Sequence, residues 1–166
     1  MGCIAIDFDG TIVSQDRPYD DVTTPLEFLV DPVTGYSSRD GLLALKAAGH
    51  LLVLSSCRAN RALTVDQHLD PLVRAGKRPA DPDWERRRGL NQRRLQQMLD
   101  FVDAELPGVF DAIDDGTVGK ITADMFLDDR AIRMIRGPGA LRWDEVARLW
   151  GEQPPPPAAP TEAREP

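Results

Sequence analysis

The chain of 166 residues lacks several features that mark common classes of protein. It has only two cysteines, Cys3 and Cys57, which are too few for a disulfide framework and do not have the spacing of metal ligands. No apolar run approaches the roughly 20 residues that cross a bilayer. The N-terminus has no basic stretch of the kind that begins a secretory signal. These absences lead us to expect a reduced, cytoplasmic protein with no membrane segment.

An excess of positive charge is also missing: the net charge of -7 argues against nucleic-acid binding by the whole surface. Histidine is scarce, and neither His50 nor His68 falls in a motif, so phosphoryl transfer through histidine has no support. The 42% hydrophobic and 28% charged residues are typical of one globular domain with a sizeable core. We predict this domain over residues 1–150, followed by a disordered tail over residues 151–166, which hold six prolines.

Short apolar runs that alternate with helical patterns predict an α/β fold. The first run is apolar on both faces, as a central parallel strand requires. The order of the elements favours a Rossmann-like three-layer sandwich with a central, mostly parallel sheet. The predicted strands span residues 3–8, 51–54, 110–113 and 125–127, and the predicted helices span residues 39–48, 60–69, 90–104 and 143–150.

Turn-forming residues give the expected connections. Residues 14–37 are polar and contain several prolines, which predicts a hairpin or loop excursion with one short helical turn at residues 26–30. Ser38 is expected to cap the first helix. Pro71 is expected to break or kink the helix at residues 60–69 near its end, because proline cannot continue a helix from within.

Polar side chains follow three of the predicted strands, at the point where each strand ends. Ligands of open parallel sheets bind beyond these carboxyl ends, so the polar clusters predict a binding site there. The clusters are Asp7 and Asp9, Ser55 and Ser56, and Asp128 and Asp129. A further pair, Asp114 and Asp115, also follows a strand, but the next residue, Gly116, favours an ordinary turn.

The carboxylates at the first strand belong to the run Asp7-Phe8-Asp9-Gly10-Thr11. Its four fixed letters, Asp-x-Asp-Gly-Thr, occur by chance in such a chain at a frequency on the order of 10⁻³. One carboxylate can attack phosphorus while the other transfers a proton. A phosphoryl group is negatively charged, so a cation is needed, and Mg²⁺ prefers carboxylate, carbonyl and water oxygens. Lys120 could neutralise the phosphate, and Ser56 or Ser55 could donate a hydrogen bond to it.

Taken in order, these motifs resemble those of the haloacid dehalogenase (HAD) superfamily. The first motif is the run at residues 7–11, the second is the strand end at residues 51–58, the third is Lys120 and the fourth is residues 126–130. The resemblance implies a HAD core. Family members select substrates with cap domains, but the insertions in this chain are short, so we expect no large cap.

The resemblance also implies roles for the acidic residues. Asp7 would be the nucleophile that forms an aspartyl-phosphate, and Asp9 the general acid that later becomes the base. The metal would be held by Asp7, the backbone carbonyl of Asp9 and Asp128, with Asp129 close by or acting through water. Whether Asp128 or Asp129 is the direct ligand stays open. Relatives that act on carbon–halogen or phosphonate bonds lack the second aspartate, so Asp9 indicates the hydrolysis of phosphate monoesters or phosphoryl transfer.

Phosphate binding would fall to the turn after the first strand, to the second motif and to the lysine. Many relatives have a Thr-Gly-Arg triplet in the second motif, and because Ser56-Cys57-Arg58 aligns with it, Ser56 is favoured over Ser55. Arg58 fits a contact with substrate or with a neighbouring carboxylate equally well. The implied phosphate-binding set is Gly10, Thr11, Ser56, Cys57, Arg58 and Lys120.

Three interpretations of function remain. The first is a Mg²⁺-dependent phosphatase that hydrolyses phosphate monoesters through an aspartyl-phosphate, with a phosphorylated small molecule or a nucleotide or nucleic-acid end as substrate. The second is a nucleotide or polynucleotide-end phosphatase that uses the basic segment at residues 74–94, which contains eight basic and three acidic residues. Capless phosphatase domains of polynucleotide kinases have a similar Asp-Asp-Arg at the fourth motif, although a solvated basic surface is the simpler explanation of the charge. The third is a HAD-fold binding or regulatory protein whose proline-rich tail is the ligand of a partner. The sequence does not indicate an oligomeric state.

Overall fold

The computed structural model describes residues 1–117, 121–128, 143–146 and 148. Within these residues, four strands form one parallel sheet in the order β3–β2–β1–β4. The strands are β1 (Cys3–Ile6), β2 (Leu51–Ser55), β3 (Ala112–Asp114) and β4 (Met125–Leu127). The predicted α/β fold with a parallel sheet is therefore confirmed, and it is consistent with a Rossmann-like sandwich. Lys120, Asp129 and the predicted tail at residues 151–166 lie outside the described residues.

Five α-helices accompany the described part of the sheet, and the two longest match predicted helices. No helix of the described part is long and apolar enough to pass through a membrane. The helices are α1 (Ser38–Ala47), α2 (Arg61–Thr64), α3 (Pro71–Arg74), α4 (Trp84–Glu105) and α5 (Trp143–Val146).

The cap of α1 differs by one residue from the prediction. Ser37, not Ser38, is the N-cap: its side chain accepts a hydrogen bond from the amide of Asp40, and the Asp40 carboxylate accepts one from the amide of Ser37. The hydroxyl of Ser38 instead donates to the buried carbonyl of Ile12 at 2.7 Å. The prediction was wrong because two serines are adjacent and only the fold decides which one turns inward.

The continuous helix predicted at residues 60–69 is wrong. The chain there forms a succession of single turns, each begun by a side chain that accepts a hydrogen bond from the backbone. Pro71 does not break a helix but begins one, since a first-turn proline has no amide bond to lose. The turns are Cys57–Ala59, α2, Gln67–Leu69 and α3, and their capping residues are Ser56, Asn60, Asp66 and Asp70.

Residues 14–37 form the predicted excursion, but without the helical turn at residues 26–30. Val13 pairs with Phe28, and Val30 pairs with Ser37, both in antiparallel bridges. Phe28 packs on Phe101 of α4 with ring centroids 4.9 Å apart. The apolar residues that suggested a helical turn therefore lie in extended chain that packs along the core.

The core is formed by the inner residues of the central strands and the apolar faces of α1, α4 and α5. Trp143 is 2% exposed and connects the first and last of these helices. Its ring lies on Gly41 of α1, and its indole Nε1 donates to the carbonyl of Thr11 at 2.9 Å. The main fully buried members are Ile4, Ile6, Phe8, Leu42, Leu45, Leu52, Leu54 and Met98.

Gly41 is required where it stands because a side chain there would occupy the space of the indole. A Cβ on Gly41 would overlap the Trp143 ring. We expect Gly41→Ala to lower the free energy of unfolding by roughly 1–3 kcal/mol through overpacking. Gly89→Ala is the matched control in α4, where a Cβ would meet only the guanidinium of Arg93 at 3.7 Å. It should be neutral or stabilise by up to about 1 kcal/mol. Urea unfolding measures both, and equal effects would contradict this packing.

Asp111, which directly precedes β3, links β2 to α1. Its carboxylate accepts hydrogen bonds from Lys46 Nζ at 2.7 Å and from the amide of Leu52 at 2.8 Å. The hydrogen bond from Lys46, followed by that from Leu52, lowers the pKa of Asp111 from its ordinary value. Because the folded-state pKa lies below the unfolded one, this stabilisation is complete above the ordinary aspartate pKa and is lost as the pH falls through the folded-state pKa.

We expect Asp111→Asn to lower the free energy of unfolding by about 1 kcal/mol at pH 7, because two bonds to a half-exposed charged acceptor are weakened. The difference from the wild type should begin to shrink below about pH 4, near the ordinary aspartate pKa, and should be lost as the pH falls through the lower folded-state pKa of Asp111. Urea unfolding at several pH values provides the measurement. Asp103→Asn removes the same charge from an exposed position of α4 and serves as the control. A pH-independent difference would rule out this ion pair as the cause.

Candidate functional site

The register between β1 and β4 brings two predicted carboxylates together. Ile6 pairs with Leu127, so Asp7 and Asp128 leave the sheet side by side at its carboxyl edge. The amide of Asp7 donates to the carbonyl of Leu127 at 2.8 Å and extends the ladder by one residue. Both residues are half-buried. Asp7 and Asp128, which are more than one hundred residues apart in the sequence, are therefore neighbours in the structure.

A tight turn after β1 carries Asp9. The carbonyl of Phe8 accepts hydrogen bonds from the amides of Ile12 at 2.9 Å and Val13 at 3.1 Å, so the chain reverses within five residues. Gly10 has φ of +78°, a conformation that favours glycine, and its amide donates to the carbonyl of Val13 at 2.8 Å. Thr11 is fully buried in the same turn. Gly10 and Thr11 therefore shape the loop that positions the second aspartate.

Arg58 binds the carboxylate of Asp9 with both arms of its guanidinium. Nε donates to Oδ2 at 2.8 Å and Nη2 donates to Oδ1 at 2.6 Å, a planar two-point contact. The Arg58 side chain is almost fully buried, and its guanidinium lies over the Phe8 ring, 5.1 Å from the centroid. Nη1 donates to the carbonyl of Arg94 and to Gln97 Oε1. Of the two roles open to Arg58, the structure shows the contact with a neighbouring carboxylate.

The two serines after β2 have different partners. Ser55 pairs in register with Asp114 of β3, and its hydroxyl donates to that carboxylate at 3.4 Å. Ser56 is buried, and its oxygen accepts from the amide of Arg58 at 3.2 Å, which leaves its hydroxyl proton for another acceptor. The amide of Gly116 donates to Asp114 Oδ1 at 3.0 Å, so the turn predicted at Gly116 is confirmed.

Arg94 is a second cation at Asp9 that the sequence analysis did not single out. Its Nη2 lies 3.5 Å from Asp9 Oδ2, and its side chain is only 12% exposed. The guanidinium carbon lies 3.7 Å from the ring centroid of Tyr19, whose hydroxyl donates to Asn91. Asn91, Arg94 and Gln97 recur every three residues along α4. This spacing of polar residues is the signal that could have identified the face of the helix directed at the site.

The rest of the basic segment at residues 74–94 is largely matched by nearby carboxylates. Four of its arginines form ion pairs with acidic residues close in sequence, which reduces the field available to an approaching polyanion. This pairing favours the simpler explanation of a solvated surface. The pairs are Arg78–Asp70, Arg86–Asp83, Arg87–Asp81 and Arg88–Glu85.

The predicted metal ligands fit Mg²⁺ in part. Among the described residues, no three His, Cys, Asp or Glu side chains are grouped so that they could hold a metal ion. The carboxylate of Asp9 is bound to Arg58, and the Asp9 carbonyl accepts from Gln15 Nε2 at 2.6 Å. Asp7 and Asp128 are adjacent carboxylates, and one or two carboxylates with water and phosphate oxygens is a common Mg²⁺ environment. A Mg²⁺ ion would therefore be held by Asp7, Asp128 and the second lone pair of the Asp9 carbonyl.

Cys57 lies in the field of these carboxylates. Partial desolvation, then the charges of Asp7 and Asp9, raise the pKa of its thiol, and the nearby arginines Arg94 and Arg58 oppose this. A thiol with a raised pKa stays protonated at neutral pH and is a poor nucleophile. Cys57 therefore has the character of a neutral side chain beside the site.

We expect Asp7→Asn to speed the alkylation of Cys57 by iodoacetamide at pH 8, because the loss of one negative charge lowers the pKa of the thiol. A Cys3→Ser background leaves Cys57 as the single thiol. Mass spectrometry across pH 7–10 gives the rates. Asp103→Asn, which makes no contribution to the Cys57 pKa, is the control. If both substitutions had the same effect, Asp7 would not act on Cys57.

The comparisons with known proteins leave this geometry as the basis for any functional conclusion. No family model, curated protein or solved structure matches the chain. In this geometry, Asp7 and Asp128 are adjacent at the carboxyl edge of a parallel sheet. Asp9 lies in the turn that follows Asp7 and forms ion pairs with two arginines.

Proposed function

We propose that the chain is a Mg²⁺-dependent phosphatase of the HAD superfamily, without a large cap, that hydrolyses phosphate monoesters through an aspartyl-phosphate. The observation that carries the proposal is the register of β1 and β4, which sets Asp7 beside Asp128 at the sheet edge where ligands of such sheets bind. The Asp-x-Asp-Gly-Thr run adds a second aspartate, Asp9, in the turn that follows.

In the first step, a carboxylate oxygen of Asp7 attacks phosphorus and the bond to the leaving oxygen breaks. Asp9 gives its proton to that oxygen, so that an alcohol leaves. Arg58 uses one lone pair on each oxygen of Asp9, which fixes the plane of the carboxyl group. Mg²⁺ held by Asp7, Asp128 and the Asp9 carbonyl would offset the charge of the phosphoryl group.

In the second step, Asp9 takes a proton from water as the water oxygen attacks phosphorus. The bond between phosphorus and Asp7 breaks, and inorganic phosphate leaves with the Asp7 carboxylate restored. The hydroxyl of Ser56 would donate to a phosphate oxygen, since its own oxygen is already engaged by the amide of Arg58. Lys120 keeps its proposed role in neutralising phosphate from the sequence motif alone.

As the proposed substrates, we favour small phosphate esters over nucleic-acid ends. Ion pairs with nearby carboxylates engage four of the eight basic residues at 74–94, which weakens the attraction of this segment for a polyanion. The binding or regulatory alternative has no observation in its favour beyond the predicted tail. We therefore propose a phosphorylated small molecule as the substrate.

We expect Asp7→Asn to lose about 10³-fold or more of the hydrolysis of an aryl phosphate, because an amide cannot form the covalent intermediate. Wild-type activity should require Mg²⁺ and be abolished by a chelator. A panel of phosphate esters, followed by phosphate release, provides the measurement. Asp103→Asn is the control for removal of a carboxylate. Mg²⁺-dependent turnover by Asp7→Asn at the wild-type rate would exclude Asp7 as the nucleophile.

A further inference from the structure

The guanidinium of Arg94 is mostly buried and yet makes no hydrogen bond to any residue that the structure describes. An arginine has five N–H donors, and Arg58 uses Nε, Nη1 and Nη2 on four acceptor atoms. Within the described part of the chain, Arg94, whose side chain is 12% exposed, has only the ion pair with Asp9 Oδ2 at 3.5 Å and the stacking on Tyr19. Of the two arginines at this carboxylate, Arg58 therefore makes four hydrogen bonds and Arg94 makes none to a described residue.

Buried donors without acceptors are rare in folded proteins because their desolvation is not compensated. Arg94 is nevertheless held in place. Its guanidinium carbon lies over the Tyr19 ring, 3.7 Å from the centroid, and Tyr19 is in turn held by its hydrogen bond to Asn91, one turn earlier on α4. A cation that is fixed in position with unused donors is prepared to bind an anionic oxygen that arrives from solution.

The position of Arg94 relative to Asp9 indicates which part of a substrate it would meet. In-line displacement places the leaving oxygen opposite the attacking Asp7 and next to the group that protonates it. Asp9 is that group in the proposed function, and Arg94 lies beside its Oδ2. With Asp9 as the acid, the guanidinium would lie on the leaving-group side of the phosphorus and away from the transferred phosphoryl group.

We propose that Arg94 binds an oxyanion on the leaving-group portion of the substrate, which makes the substrate a phosphate ester with a second anionic group. The inference rests on the proposed function for the direction of the leaving group. Tyr19 is the positioning residue, because the guanidinium of Arg94 lies over its ring. The chemical class is a phosphorylated hydroxy acid or a compound with a second phosphate, in which the two anions are separated by a short carbon chain.

The test compares two phosphonates of nearly equal shape, 3-phosphonopropionate and propylphosphonate, which differ by a carboxylate in place of a methyl group. Their affinities are measured by titration calorimetry in the presence of Mg²⁺. We expect the wild type to bind the carboxylate-bearing probe about tenfold more tightly, as one charge-assisted hydrogen bond allows. Arg94→Gln should abolish this preference, and Arg94→Lys should retain a part of it. Arg93→Gln removes the same charge from the exposed neighbour and should leave the preference unchanged.

Equal affinities for the two probes in the wild type would overturn the proposal, and this comparison needs no variant to fold. An equal loss of both affinities in Arg94→Gln would also overturn it, since Arg94 would then contact the transferred group. Hydrolysis of 3-phosphoglycerate and glycerol 3-phosphate is measured in parallel. If neither ester is hydrolysed while the binding preference depends on Arg94, the proposed phosphatase activity fails and the anion site stands.

Discussion

The parallel pairing of β1 with β2 and β4 is the constraint on which the rest of the structure depends. Because β1 is hydrogen-bonded on both edges, its direction and register are fixed by two neighbours at once. The residues after these strands, Asp7, Ser56 and Asp128, then emerge at one edge of the sheet. The side chains of Ile4 and Ile6 are fully buried, and a slip of one residue would send them to the opposite face. The same burial that stabilises the sheet therefore positions the carboxylates.

A second constraint is the contact between Arg58 and Asp9, which ties the turn after β1 to α4. Arg58 holds Asp9 on one side and donates to the carbonyl of Arg94 and to Gln97 on the other. Removal of one partner of such a buried pair leaves an uncompensated charge, which costs about 3–5 kcal/mol. The orientation of Asp9 therefore depends on the packing of α4, and the packing of α4 depends on the orientation of Asp9, because Arg58 binds both.

The sequence was sufficient where a strong local pattern and the global fold agree. The apolar runs predicted the parallel sheet, and β4 was predicted to the residue. The prediction from sequence failed where two adjacent residues are equally suitable and the fold selects one of them, as it selects Ser37 over Ser38 for the cap of α1. The sequence also gave no indication that Arg94 reaches Asp9, because that contact joins residues 85 positions apart. Pairwise contacts of this kind follow from packing, and periodicity alone does not encode them.

In the proposed function, the two arginines at Asp9 would divide the work of an electrostatic site in a way that neither could perform alone. A site that binds a phosphate ester must hold its acid in one orientation before substrate arrives, and it must keep some positive charge uncommitted for the substrate. Arg58 satisfies the first requirement through two short hydrogen bonds from a nearly inaccessible position. Arg94 satisfies the second, since its ion pair is longer and its donors have no other described acceptor. A single arginine would have to release Asp9 in order to bind substrate, and the acid would lose its orientation at the moment it is needed.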